Sequence, residues 1–305
     1  MVVGLIILDF LDYDYVHKFD NSSLVFKFEC NSLSFEVDYE LDEVIKGYFP
    51  HISTSARAGI YLMYKRPTDN NWMNIKSYSD ISHFTVDMSH FVEAGEVYEI
   101  LIYGPIISKL TKLQVTVPEG SVAKIIEEVP NRNIVVAGGF NTYGIGCTST
   151  SSMFSHILER KFDAKVTNNS YNTVNYLKNI YFDYKNSKVP IADVGILELD
   201  NFSQHESVIE TLLPRLIPLM KQRCKYLIGW YSISNDKAYK KIIANNTIKE
   251  FIYNADLEIV DMSCLYDEDY RDMCVYSNVY INDTGNIMIY KKLEEVIRRL
   301  TKWNI

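Results

Sequence analysis

The segment Val135-Val136-Ala137-Gly138-Gly139-Phe140-Asn141-Thr142-Tyr143-Gly144 has the layout of a nucleophile turn. An apolar strand runs into a glycine pair, then a turn, then a helix. Such a turn lifts one side chain above the carboxyl end of a sheet strand, where it can attack a substrate. The residue lifted here is Phe140, which has no nucleophilic atom. A serine or cysteine in that place works only beside a base, and the base needs an orienting group. The chain therefore carries the housing of an active site without the expected attacking group.

Other residues with chemical potential give weaker patterns. Cys147 follows the turn within Gly144-Ile145-Gly146-Cys147-Thr148, and it reads as a buried cysteine at a helix start rather than a displaced nucleophile. Gly144-x-Gly146 is an incomplete phosphate loop, with no Lys-Ser/Thr after it. His156 lies beside Phe154, Ile157 and Leu158 and reads as a packed or half-exposed helix residue. His205 lies in a loop at the same end of the sheet as the turn and is the histidine nearest a pocket. The acidic run Asp267–Asp272 begins like a Ca²⁺ loop, but Arg271 breaks the ligand spacing and Asp272 stands where glycine is needed. It reads as a solvated loop. Neither a metal nor a cofactor is expected.

Composition narrows the setting. The chain has 305 residues, 47% hydrophobic and 23% charged, as in a soluble globular protein. Its formal charge of -8 argues against nucleic acid and anionic membrane as partners. The five cysteines, Cys30, Cys147, Cys224, Cys264 and Cys274, are odd in number and never in CxxC spacing, which points to a reducing compartment and a cytoplasmic protein. The apolar start, Val2–Leu8, is followed by Asp9, Asp12 and Asp14, so it reads as a first strand rather than a signal peptide. No apolar run nears the ~20 residues that span a membrane.

Two periodicities divide the chain. Up to about residue 120 the pattern is β: Leu24–Cys30, Leu33–Tyr39, Gly59–Tyr64, Tyr98–Tyr103 and Leu113–Val117 read as strands of an antiparallel sandwich. After Pro118-Glu119-Gly120, strands alternate with helices. The strands are Asn133–Ala137, Lys165–Thr167, Ala192–Leu199, Lys225–Ile228 and Leu257–Val260. Amphipathic stretches lie at Ser207–Cys224 and Asp236–Tyr253, and a last helix runs from about Asn286 to Thr301. That alternation predicts a five-stranded parallel sheet covered on both faces, a three-layer α/β/α domain. The expected organisation is a sandwich over 1–120, a linker over 121–132 and an α/β domain over 133–305.

In this order the segments resemble the SGNH (GDSL-like) hydrolases, in particular the subgroup with an N-terminal β-sandwich of jelly-roll type. Ile134–Gly144 is similar to that family's first block: apolar strand, Gly, small residue, Ser, apolar, Thr, x, Gly. Leu24–Tyr39, Tyr98–Pro105, Ala192–Asn201 and the Asp283-Thr284-Gly285-Asn286 turn fall where the family has its corresponding segments. The resemblance implies acyl-ester hydrolysis by a Ser/Asp/His triad. Carried over residue by residue, the nucleophile position holds Phe140. The family's final Asp-x-x-His falls on Ser277-Asn278-Val279-Tyr280, so Ser277 stands for the acid and Tyr280 for the base. No histidine occurs after His205, so sliding the alignment does not restore the base. An unperturbed phenol, with a pKa of about 10, is a poor substitute. The family's oxyanion positions fall near Ser170 and on Asn201 or a residue one or two places away, and Gly139, Asn141 and His205 join them as candidate remnants of the pocket.

The resemblance thus implies a degenerate esterase: a pseudoenzyme that binds or scaffolds. Its ligand would be a carbohydrate, an acylated small molecule or a protein partner. The alternative is an active acyl-ester hydrolase of acetyl or carbohydrate esterase type, with relocated catalytic residues.

Overall fold

The computed structural model describes residues 5–10, 24–42, 52–79, 81–126, 131–173, 175–199, 206–231, 254, 257–266, 272–275 and 280–303. The chain separates into two compact units, one of residues 1–129 with 149–151, the other of residues 130–148 with 152–305.

The first unit is built from β1 (Leu5–Asp9), β2 (Val25–Cys30), β3 (Ser34–Leu41), the short helix α1 (Thr54–Ala58), β4 (Ile60–Lys65), β5 (Met73–Tyr78), β6 (His83–Asp87), β7 (Tyr98–Tyr103), β8 (Leu110–Pro118) and β9 (Ala123–Ile125). They form two antiparallel sheets, in the orders β1-β8-β3-β6 and β5-β4-β7-β2-β9. The alternation in β2 and β3 sends Phe26, Phe28, Phe35 and Val37 inward, where they meet Ile60, Ile100 and Val115 in one apolar core. This is the sandwich that strict alternation requires, because each sheet has one face to hide. Part of the stretch 121–132, expected to be linker, is β9, which pairs with the outer edge of β2.

The second unit carries β10 (Asn133–Gly138), α2 (Phe140–Tyr143), α3 (Phe154–Phe162), β11 (Lys165–Ser170), α4 (Tyr176–Lys185), β12 (Ala192–Glu198), α5 (Glu206–Lys221), β13 (Cys224–Tyr231), β14 (Glu258–Asp261), β15 (Cys274–Val275), β16 (Tyr280–Ile281) and α6 (Asp283–Thr301). Five strands form a wholly parallel sheet in the order β11-β10-β12-β13-β14. Both faces are buried. In β10, Ile134 and Val136 pack with α3 and α6 residues such as Phe154, Leu158, Ile289 and Leu293. Val135 and Ala137 pack with α4 and α5 residues such as Leu177, Ile180, Leu216 and Met220 on the other face. The sheet and its helices are the three-layer α/β/α arrangement.

Two helix boundaries have local causes. α6 starts at Asp283, three residues before the expected Asn286, because Asn282 caps it: its Oδ1 accepts from the Gly285 amide at 3.0 Å. α5 contains Pro214 and Pro218 yet stays helical. Both prolines lie on the exposed side of the helix, while Leu213, Leu216, Ile217 and Met220 are buried. The second amphipathic stretch, Asp236–Tyr253, lies outside the described residues.

Among the described residues no helix is long and apolar enough to cross a membrane. Among the described residues Cys30, Cys147 and Cys224 form no disulfide.

Candidate functional site

The turn after β10 is made by close approach. At Gly138 a Cβ would lie 2.3 Å from Thr142 Oγ1 and 2.5 Å from Glu198 Oε2, so any side chain there would displace the turn. Gly139 then leads into α2, and Phe140 is the first residue of that helix. The Phe140 ring is half-buried. It meets the Tyr280 ring edge to face, with centroids 6.0 Å apart and planes at 70°. The two positions that the family resemblance assigns to nucleophile and base are thus neighbours in space, and both present aromatic rings.

A network of buried amides fixes that neighbourhood. Asn141 is 2% exposed, and its Oδ1 accepts from the Ile281 amide at 3.2 Å, tying α2 to β16. Asn286 on α6 accepts from the Phe154 amide at 3.0 Å and donates to the carbonyls of Ile281 (3.3 Å) and Asn282 (3.0 Å). Asp283 accepts from both the amide and the hydroxyl of Thr148. Gly146 allows β16 to come close, since a Cβ there would lie 2.5 Å from the Ile281 carbonyl oxygen. The Gly144-x-Gly146 pair therefore serves turn geometry and packing. Ser170 ends β11 directly beside Gly138 in the sheet register. It is buried, and its hydroxyl has no hydrogen-bond partner among the described residues.

Below the turn stands a residue that sequence reasoning missed. Glu198 ends β12 and is fully buried. Its Oε2 accepts three hydrogen bonds: from the Gly139 amide at 2.9 Å, the Thr142 amide at 2.9 Å and the Thr142 hydroxyl at 2.6 Å. Burial pushes its carboxyl above the ordinary range; the donors from Thr142 and Gly139, and the Asn141 side chain, oppose that push. Asn168 completes the grip on α2, donating to the Thr142 carbonyl at 3.1 Å.

No protein-family model matches the chain, and no curated protein matches its sequence. Solved structures do match. A predicted GDSL-like lipase from Bacteroides ovatus aligns over 99% of this chain and 99% of its own, with a TM-score of 0.78 at 18% identity. The chain has the fold of the SGNH/GDSL-like hydrolases. A family two carbohydrate esterase from Cellvibrio japonicus matches over 99% of both chains with a TM-score of 0.64 at 13% identity. An acetyl xylan esterase from the rumen bacterium Butyrivibrio proteoclasticus matches over 91% of this chain and 90% of its own, with a TM-score of 0.59 at 10% identity.

Within this SGNH-type fold, the structure brings Gly139, Phe140, Asn141, Ser170 and Tyr280 together at the carboxyl end of the sheet. That is where open α/β sheets bind ligands. Ser277, Asn201 and His205 lie outside the described residues, as does most of the acidic run, Asp267–Arg271. The remaining candidates are engaged elsewhere. Burial pushes the Cys147 thiol well up, and the nearby Asp283 charge adds to this, so the reactive thiolate is disfavoured. His156 is buried, with Nδ1 3.1 Å from Glu159 Oε2 on its own helix. Among the described residues no group of three or more His, Cys, Asp and Glu is placed to hold a metal ion. A cavity of about 250 Å³ opens at the opposite end of the sheet, where β13 and β14 begin, lined by Lys221, Cys224, Lys225 and Glu258 among others.

Proposed function

We propose that this protein is a non-catalytic member of the SGNH-type hydrolases that binds rather than cleaves, acting in the cytoplasm. The observation that carries this reading is the edge-to-face contact of Phe140 with Tyr280. The nucleophile and base positions of the fold are near one another, but neither side chain can do the work of its counterpart. A carbon ring cannot attack, and a phenol does not take a proton near neutral pH. Members of a triad act as a unit, so remnants of one recover little of its rate.

The ligand on this reading is a carbohydrate or an acylated small molecule. Support comes from the carbohydrate esterases among the similar structures, one of them solved with cellohexaose, and from the location of the aromatic pair at the ligand-binding end of the sheet.

The purified protein should hydrolyse neither aryl acetates nor acetylated xylo-oligosaccharides above a heat-denatured control. Turnover that persists through repeated purification and disappears in Cys147→Ala or His205→Ala would establish an active esterase with relocated residues instead.

A further inference from the structure

We propose that Glu198 is the positioning residue of this site: its carboxyl group holds residues 139–142 in the shape that presents Phe140 to Tyr280. The inference goes beyond the binding reading and does not depend on it.

The geometry is specific. Glu198 lies one register step beyond the Ala137–Leu197 pair, which puts it beside Gly138, and it is paired with Trp230 on its other side. Because Gly138 has no side chain, the space over it is filled by Glu198 Oε2 and Thr142 Oγ1. The first amides of a helix have no acceptor within it. Gly139, in the capping position of α2, brings no side chain to supply one. Glu198 supplies it from another strand, 59 residues away from Gly139 and 56 from Thr142. All three donors converge on a single oxygen. The other oxygen, Oε1, is buried without a well-formed hydrogen bond, although the Asn141 side chain is near enough to favour the charged form. Here the bonding is concentrated on the turn.

Phe140 lies between two residues that Glu198 holds, Gly139 and Thr142, so the direction of its side chain follows from where those amides point. On this account the Phe140–Tyr280 contact is read out from below.

The test uses the full-length protein with ¹³C-labelled tyrosine. Tyr280→Phe assigns the Tyr280 ring signal, and Phe140→Ala measures the ring-current shift that Phe140 imposes on it. Glu198→Ala should abolish that shift and speed hydrogen exchange at the Gly139 and Thr142 amides about tenfold or more, the loss expected when a buried amide is left without its acceptor. Glu198→Gln keeps an acceptor oxygen and should restore both to near their original values. Should Glu198→Ala not fold, Thr142→Val carries the test. It removes one donor, and should shift the Tyr280 signal part of the way and raise exchange at the Thr142 amide severalfold. An unchanged Tyr280 signal in folded Glu198→Ala, or in Thr142→Val, would overturn the proposal, and so would equal loss in Glu198→Ala and Glu198→Gln. Esterase turnover by the unaltered protein would end the non-catalytic reading and leave this one standing.

Discussion

The two sides of one turn differ in kind. Below it, Glu198 and Asn168 hold the backbone of Gly139 and Thr142 with buried hydrogen bonds. Above it, two half-buried rings, Phe140 and Tyr280, touch edge to face. The underside is a polar network in which each lost partner leaves a buried donor or acceptor unsatisfied. The upper side is an apolar contact that can be trimmed at modest cost. The difference teaches that the shape of a nucleophile turn and the chemistry it displays are set by separate residues. A chain can therefore retain the first while the second changes.

The largest effect should come from below. Glu198→Leu leaves three donors facing a hydrocarbon, and should lower unfolding free energy by about 3 kcal/mol, read from urea denaturation. The pH dependence sharpens the point. Because burial raises the Glu198 pKa in the folded state, the native protein holds this proton more tightly than the unfolded chain. That contribution to stability is fully present below the ordinary value of 4.5 and is lost as pH rises through the raised one. Urea midpoints of the unaltered protein should therefore fall relative to those of Glu198→Gln as pH increases across that window. A gap that stays constant with pH would show that Glu198 does not titrate this way.

A smaller effect is expected from above. Phe140→Ala removes a ring that is only half-buried, and should cost about 1–2 kcal/mol, less than a fully buried phenylalanine. A loss as large as that of Glu198→Leu would erase the contrast between the two sides. Asn141→Ala should cost about 1 kcal/mol, since it strips the acceptor from the Ile281 amide. It tests whether the link between α2 and β16 belongs to the strong side or the weak one.

Periodicity revealed most of the framework. β10 and β12 read as apolar runs because both faces of their sheet are covered, and α6 shows its stripe of Ile289, Leu293 and Ile297. The strands β5, β6 and β9 were not read. β9 has only three residues, and its evidence is a partner strand some 95 positions earlier. Phe140 was legible as the lifted residue from the glycine pair alone, whereas its meeting with Tyr280, 140 residues later, came only through the family resemblance. Glu198 was invisible for a different reason. A glutamate at the end of an apolar strand, Ala192–Glu198, is a hint of a buried partner, but its partners are mainly backbone amides, which no residue type announces. The one available signal was that a buried carboxylate must find donors.

The central claim is that the housing persists beneath a changed surface. The most direct measurement is aryl acetate hydrolysis by the unaltered protein, by Phe140→Ser, and by the triple change Phe140→Ser, Ser277→Asp and Tyr280→His. The account predicts no turnover from the first two and weak esterase activity from the triple variant, because a turn still held by Glu198 would aim the new serine at the new histidine. Turnover by Phe140→Ser alone would mean that a base is already in place, and would contradict the account.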